Sequence, residues 1–239
     1  MSGQASGPYV GKECLSLRSS VTMNALPPDG QALGLVISAA LSAVLQLLVL
    51  SAIPALVHRI WFRQREPLAK FIGLYAPERR ALLLGLAVAA LALGSFAALN
   101  HWLRSDLLNG PKAVAVRFEH MQPAFVAGVC MLLSAYVQTS LAEEIFFRGF
   151  VAKRLIARLG PRLGNLLQAL IFGAVHVLLV SSVASGVPLR QAFAFGLLVT
   201  LGGASLGYVT EIRGNGSIVP AWLAHGTLNL LTYLWVRFS

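Results

Sequence analysis

Six stretches of this chain stay apolar for about 20 residues each, and no other feature limits the fold as strongly. They lie at about 32–57, 81–99, 123–147, 163–183, 191–212 and 217–236. Roughly 20 apolar residues cross a bilayer as a helix. In hydrocarbon every backbone polar group must find its partner within the segment or in a closed barrel, so each run reads as a helix. The expected fold is all-α: a polytopic membrane helix bundle with about six transmembrane helices. Of 239 residues only 12% are charged, against about a quarter in soluble domains. The composition argues against a soluble enzyme, and any chemistry must lie within or just beside the spans.

The organisation follows from the same runs. Residues 1–31 form a polar leader rich in Gly, Ser and Pro, expected to be weakly ordered, with Pro27-Pro28-Asp29-Gly30 as a turn. Residues 32–122 carry two spans with their loops, and 123–239 carry the remaining four as a helical core. The first run is too long for the core of a signal peptide, and Pro54 marks a kink within it.

The basic excess, 19 Lys and Arg against nine Asp and Glu, falls in the gaps between runs. It reads as loops facing anionic lipid rather than as a nucleic-acid surface. The first, third and fifth loops carry 11 basic residues, among them Arg59, Arg63, Arg65, Lys153, Arg154 and Arg213, and the opposite side carries seven. The N-terminus is therefore expected outside and the basic loops in the cytoplasm. The short loops point to a bacterial inner (cytoplasmic) membrane. Trp61, Trp102 and Trp235 sit near span ends, as interfacial aromatics do. Cys14 and Cys130 are too far apart for a disulfide framework or a zinc motif, and Cys130 reads as a buried thiol.

With so few acids, each one inside an apolar run stands out. An ionisable group in a span is costly unless paired or facing a cavity, and is read as functional by default. In Glu143-Glu144-Ile145-Phe146-Phe147-Arg148 the two carboxylates point about 100° apart. Glu144 and Arg148 share a face and can pair, which leaves Glu143 without a local partner. A carboxylate in low dielectric suits general-base work near neutral pH. The alternative is a helix end reaching water with both acids solvated. His176 lies mid-run with Phe172 one turn before it; the alternative is a histidine satisfied by a neighbouring helix. His225 and Asn229 are four apart and share a face, and both can donate to an oxygen gaining charge; the alternative is polar glue between helices. Counted from the cytoplasmic ends, these groups all fall roughly 10–20 Å deep, in one layer. His58, His101 and His120 read as interfacial, Glu211 as a solvated helix end beside Arg213, and Asn165 and Gln168 as supporting groups behind the layer.

The series Glu143-Glu144-x-x-x-Arg148, Phe172-x-x-x-His176 and His225-x-x-x-Asn229, preceded by Gly216-Ser217-Ile218-Val219-Pro220-Ala221, resembles the three motifs of the CPBP (CAAX protease and bacteriocin-processing) intramembrane proteases, a family that includes the CAAX prenyl endopeptidases. The resemblance spans residues 141–229. It implies an intramembrane endopeptidase acting on a membrane-anchored protein or peptide. Glu143 and His176 would activate a water, His225 and Asn229 would form the oxyanion hole, and Glu144, Arg148 and Phe172 would support the site. It implies no nucleic-acid partner. A glutamate mechanism without cofactor is preferred; zinc or another divalent metal held by Glu143, His176 and His225 is the alternative, although no His-Glu-x-x-His helix is present. Two other functions remain open: a transporter or proton relay using Glu143 and His176, and a non-catalytic scaffold or immunity protein.

Overall fold

The computed structural model describes residues 29–63, 65–103, 114–183 and 187–238, and among these there is no strand. The polar leader up to residue 28 lies outside them. Helix α1 runs Asp29–Val57 and is prolonged by a π-helical turn, His58–Phe62. Asp29 and Gly30, expected in a turn, are already helical, and the helix passes through Pro54. A short α2, Leu68–Phe71, leads to α3, Arg79–Leu103. After a 3-10 turn at Val114–Phe118 come α4 (Ala124–Leu132), a π-helical stretch (Leu133–Leu141), α5 (Ala142–Phe146), a second π-helical stretch (Phe147–Ala152) and α6 (Lys153–Val183). Helix α7, Leu189–Tyr208, ends in a π turn at Val209–Arg213, and α8 is Val219–Phe238.

Among the described residues, four segments are long and apolar enough to cross a membrane: Gly30–Phe62, Arg79–Leu103, Ala124–Ser182 and Leu189–Arg213. The third holds two of the expected spans. The helix does not stop at residue 147 but runs on to Leu159, and turns at Gly160 (φ 79°, ψ 166°) just before Pro161. A positive φ costs glycine little, and the proline's lack of an N–H removes a bond that would have carried the first leg straight on. Helix α8, expected as the sixth span, is not among the four. Its His225, Asn229 and threonines dilute its apolar character, and two of those residues build the polar site described below.

The outward faces fit a lipid solvent. Leu41, Leu45 and Leu48 of α1 are 65%, 64% and 61% exposed. In water such a row would forgo about 25 cal/mol for each Å² left unburied; against acyl chains it forgoes nothing. Inward, Cys130, Met131 and Ala135 pack with Tyr233 and Val236 of α8, with Ala32 and Val36 of α1 leaning on them. Helix α3 crosses α8 closely: a Cβ on Gly85 would stand 2.8 Å from the Pro220 carbonyl oxygen. Small residues at such crossings let membrane helices approach.

At one end of the bundle the first and fifth loops are tied to each other and to Lys153 of α6. The Ile218 N–H donates to the Gly73 carbonyl (2.9 Å), the Ser217 hydroxyl to the Tyr75 carbonyl (2.6 Å) and the Tyr75 hydroxyl to the Asn215 carbonyl (2.7 Å). Lys153 Nζ donates to Glu211 (3.0 Å) and to the Gly216 carbonyl (2.7 Å). The first and fifth loops thus share one end of the protein with Lys153, a residue expected in the third loop that is the first of helix α6. Glu211 is not the solvated acid expected beside Arg213: it pairs with Lys153, while Arg213 donates to the Tyr208 hydroxyl.

Candidate active site

Both acids of the Glu143-Glu144 pair lie on α5, a helical turn and a half held between two π-helical stretches. A π turn places an extra residue in the helix and is frequent at functional sites. Here the wider turns are filled by side chains. The hydroxyls of Thr139 and Ser140 donate five residues back, to the carbonyls of Ser134 (2.8 Å) and Ala135 (2.7 Å). The helix then passes on to Leu159, so α5 is interior and neither acid sits at a helix end open to water.

Glu144 is fully buried. Its Oε1 lies 3.1 Å from Arg148 Nη1, with the guanidinium 1% exposed, and 3.0 Å from His225 Nδ1. The i, i+4 ion pair anticipated from the sequence is therefore present, and a histidine from another helix joins it. Arg148 is held on two further sides. Its Cζ stands 4.2 Å from the centroid of the Phe172 ring, and Nη2 reaches the Gly203 carbonyl at 3.5 Å. Gln168, also fully buried, donates to that carbonyl (3.1 Å) and to Asn165 Oδ1 (2.9 Å), and Asn165 donates to the Ala204 carbonyl (2.9 Å). Asn165 and Gln168 stand behind Arg148, as the sequence suggested.

Glu143 points another way. Its Oε2 is buried with no hydrogen-bond partner among the described residues, and lies 3.9 Å from His225 Nε2. The acid expected to lack a local partner thus faces the second nitrogen of His225, at a distance beyond hydrogen-bond range. Neither group consumes the other. His225 therefore stands between the two carboxylates, one on each ring nitrogen, with its side chain 12% exposed.

That position fixes a proton. Ionised Glu144 can only accept, so His225 Nδ1 carries the hydrogen between them. Nε2 is then a donor only when the ring holds both protons. With Nδ1 engaged, donation from Nε2 to an oxygen gaining charge uses the doubly protonated ring.

His176 enters through aromatic contacts. Its Nδ1 bonds the Phe172 carbonyl at 2.9 Å, and its ring lies 4.4 Å from that of Phe172. Phe172 also meets the His225 ring edge-on at 6.2 Å and the Phe147 ring at 4.8 Å. Phe172 is thus the hinge-piece between both histidines and Arg148. Asn229 Nδ2 donates to Thr139 Oγ1 (3.0 Å), so α8 reaches the acid-bearing rod at two levels one turn apart.

Residues 125–231 match a family model described as type II CAAX prenyl endopeptidase Rce1-like. This stretch of the chain is Rce1-like. The match supports a CAAX-type intramembrane protease at the level of the family, and the apolar helices support a protein integral to the membrane. No curated protein and no solved structure matches the chain. The Rce1-like segment takes in every residue of the cluster above, from Thr139 to Asn229.

Among the described residues, no three of His, Cys, Asp and Glu are grouped so as to hold a metal ion. Of the set a divalent metal would need, Glu143, His176 and His225, each histidine has its Nδ1 bonded and Nε2 as its remaining nitrogen, and His225 Nε2 lies 3.9 Å from Glu143 Oε2. Of the remaining histidines, His58 bonds the Glu66 carbonyl at 2.7 Å, and His101 and His120 are exposed at helix ends.

Several members of the site were not singled out from the sequence. Thr139 holds Asn229, the Tyr136 hydroxyl bonds Thr227 (2.9 Å), and Trp222 donates its indole N–H to the Tyr136 carbonyl (2.7 Å). A signal existed: Tyr136, Thr139 and Ser140 are polar residues within a turn or two of the two acids in an apolar run.

Proposed function

We propose that this protein is an intramembrane endopeptidase of the glutamate type, hydrolysing a peptide bond of a membrane-anchored protein or peptide. The observation that carries the reading is Glu143: a buried carboxylate oxygen without a partner, beside a histidine whose other nitrogen is locked by a second carboxylate. Glu143 takes a proton from a water, with His176 holding that water through its remaining ring nitrogen. The water oxygen adds to the scissile carbonyl carbon. The carbonyl oxygen gains charge and is received by His225 Nε2–H and the free N–H of the Asn229 amide. Glu143 then passes its proton to the amide nitrogen as the C–N bond breaks. Glu144 and Arg148 do not touch the reacting atoms. They hold His225 in place, and two carboxylates against a guanidinium and an imidazolium leave the buried cluster close to neutral.

The protein sits in this reading in a bacterial inner membrane, with the tied loops on the cytoplasmic side. The reaction has no metal in it. Cleavage of a reporter drawn from a panel of fluorogenic peptides, with and without an acyl or isoprenoid anchor, tests both points in proteoliposomes. Glu143→Gln is expected to lower kcat by about 10²–10⁴-fold, with the melting temperature measured alongside to show that the variant stays folded. A strong chelator leaves the wild type active. Full cleavage by Glu143→Gln overturns the role of Glu143, and loss of activity to the chelator, restored by zinc, overturns the metal-free route.

A further inference from the structure

Thr139 lies in the π-helical stretch before the two acids, and the motifs do not contain it. Its hydroxyl has one hydrogen and two lone pairs. The hydrogen is taken: Oγ1 lies 2.8 Å from the Ser134 carbonyl and 3.2 Å from that of Ala135, and both can only accept. What Thr139 presents to Asn229 at 3.0 Å is therefore a lone pair. The Asn229 amide must meet it with N–H. A flipped amide would set its carbonyl oxygen against a hydroxyl oxygen with no hydrogen to spare.

This matters for the oxyanion site, and the inference rests on the reading proposed above. An asparagine amide has one attractive and one repulsive end toward a negative oxygen. With one N–H on Thr139, the second N–H is turned away from Thr139 and Oδ1 is kept off that side. Its neighbour four residues back, His225, is oriented by Glu144. The π turn is what makes the arrangement possible, since the five-residue reach of Thr139 to Ser134 is the spacing of that turn.

We propose that Thr139 is a positioning residue for the hydrolytic reaction, setting the amide orientation of Asn229 so that the site offers an N–H rather than an oxygen to the developing oxyanion.

The test uses the full-length protein in proteoliposomes with the fluorogenic reporter above. Thr139→Val keeps the shape and removes the lone pairs. It is expected to lower kcat by about 10–100-fold with KM within about twofold, since the lost interaction belongs to the transition state. Thr139→Ser restores the hydroxyl and is expected to recover activity. Asn229→Ala is expected to lower kcat at least as far, and Thr139→Val added to it is expected to cost nothing more, because the two act as one unit. Melting temperatures in detergent separate these effects from misfolding. If Asn229→Ala cleaves at the wild-type rate, the oxyanion reading of Asn229 fails. If Asn229→Ala is impaired but Thr139→Val is not, or if the two effects simply add, the role of Thr139 fails. If Thr139→Ser is as impaired as Thr139→Val while remaining folded, the hydroxyl is not the acting group and the proposal is overturned.

Discussion

Replacing Arg148 by methionine tests whether the Glu144–Arg148 pair is an interior ion pair or a surface one. The side chains are 0% and 1% exposed with N and O 3.1 Å apart. At an effective dielectric of about 20, unit charges at that distance attract by about 5 kcal/mol. Removing one partner leaves a buried, uncompensated charge, an effect of about 3–5 kcal/mol in measured cases. Two features of the site adjust the figure. His225 Nδ1, 3.0 Å from the same oxygen, still partners Glu144 and lowers the loss. The guanidinium over the Phe172 ring at 4.2 Å adds up to about 2 kcal/mol. Arg148→Met is therefore expected to lose about 3–5 kcal/mol, a large part of a typical stability of 5–15 kcal/mol. Adding Glu144→Gln removes the stranded charge and is expected to recover roughly half of the loss. Stability recovers in the double variant but cleavage does not, because a glutamine cannot balance an imidazolium at His225. The assay is unfolding in mixed micelles followed by tryptophan fluorescence, alongside reporter cleavage. A loss under about 1 kcal/mol, the size of a surface pair, or an additive double variant, would refute the buried-pair account.

Other consequences can be measured in the same preparations. Gly226→Val places a side chain into the Tyr136 ring, which a Cβ there already overlaps; a loss of about 1–3 kcal/mol is expected from overpacking, and an unchanged melting temperature would contradict the packing. The Tyr75 phenol is held above its ordinary value of 10.0 by burial first, then by the Glu211 and Glu66 carboxylates. The folded state thus binds this proton more tightly than the unfolded state. Its contribution is complete below pH 10 and is lost as pH rises through the higher folded value; Tyr75→Phe is expected to flatten that alkaline decline, and an identical pH profile would argue against it. For topology, an impermeant maleimide on spheroplasts is expected to label Cys14 in the wild type and to spare an Ala76→Cys reporter in a Cys14→Ser background. The reverse pattern would invert the orientation.

Much of this protein was written in its sequence. The helical class and the number of rods follow from hydrocarbon length and the need to satisfy the backbone inside lipid, and six apolar runs became six rods. The residues of the candidate cluster were legible because carboxylates and histidines are costly in a span, so few exist and each one stands out. Even the Glu144–Arg148 pair was readable, since residues four apart on a helix meet whatever lies around them. Boundaries were less legible. Nothing in the apolar run shows that the helix continues past Phe147 to Leu159 and turns only at Gly160, because periodicity does not distinguish one bent helix from two. Helix α8 is less apolar than the other long rods because the residues that lower its hydropathy belong to the site.

What only the tertiary structure decided is which group faces which across helices. Sequence spacing orders contacts along one helix, and it is silent on the rotation of one helix against another. That rotation puts His225 between Glu143 and Glu144, one carboxylate facing each ring nitrogen. It also puts Asn229 against Thr139, a residue with no mark on it in a linear reading. The types of group in the site are a matter of composition in an apolar solvent. Their protons and orientations depend on distances of 3–4 Å between helices far apart in the chain, which packing alone sets.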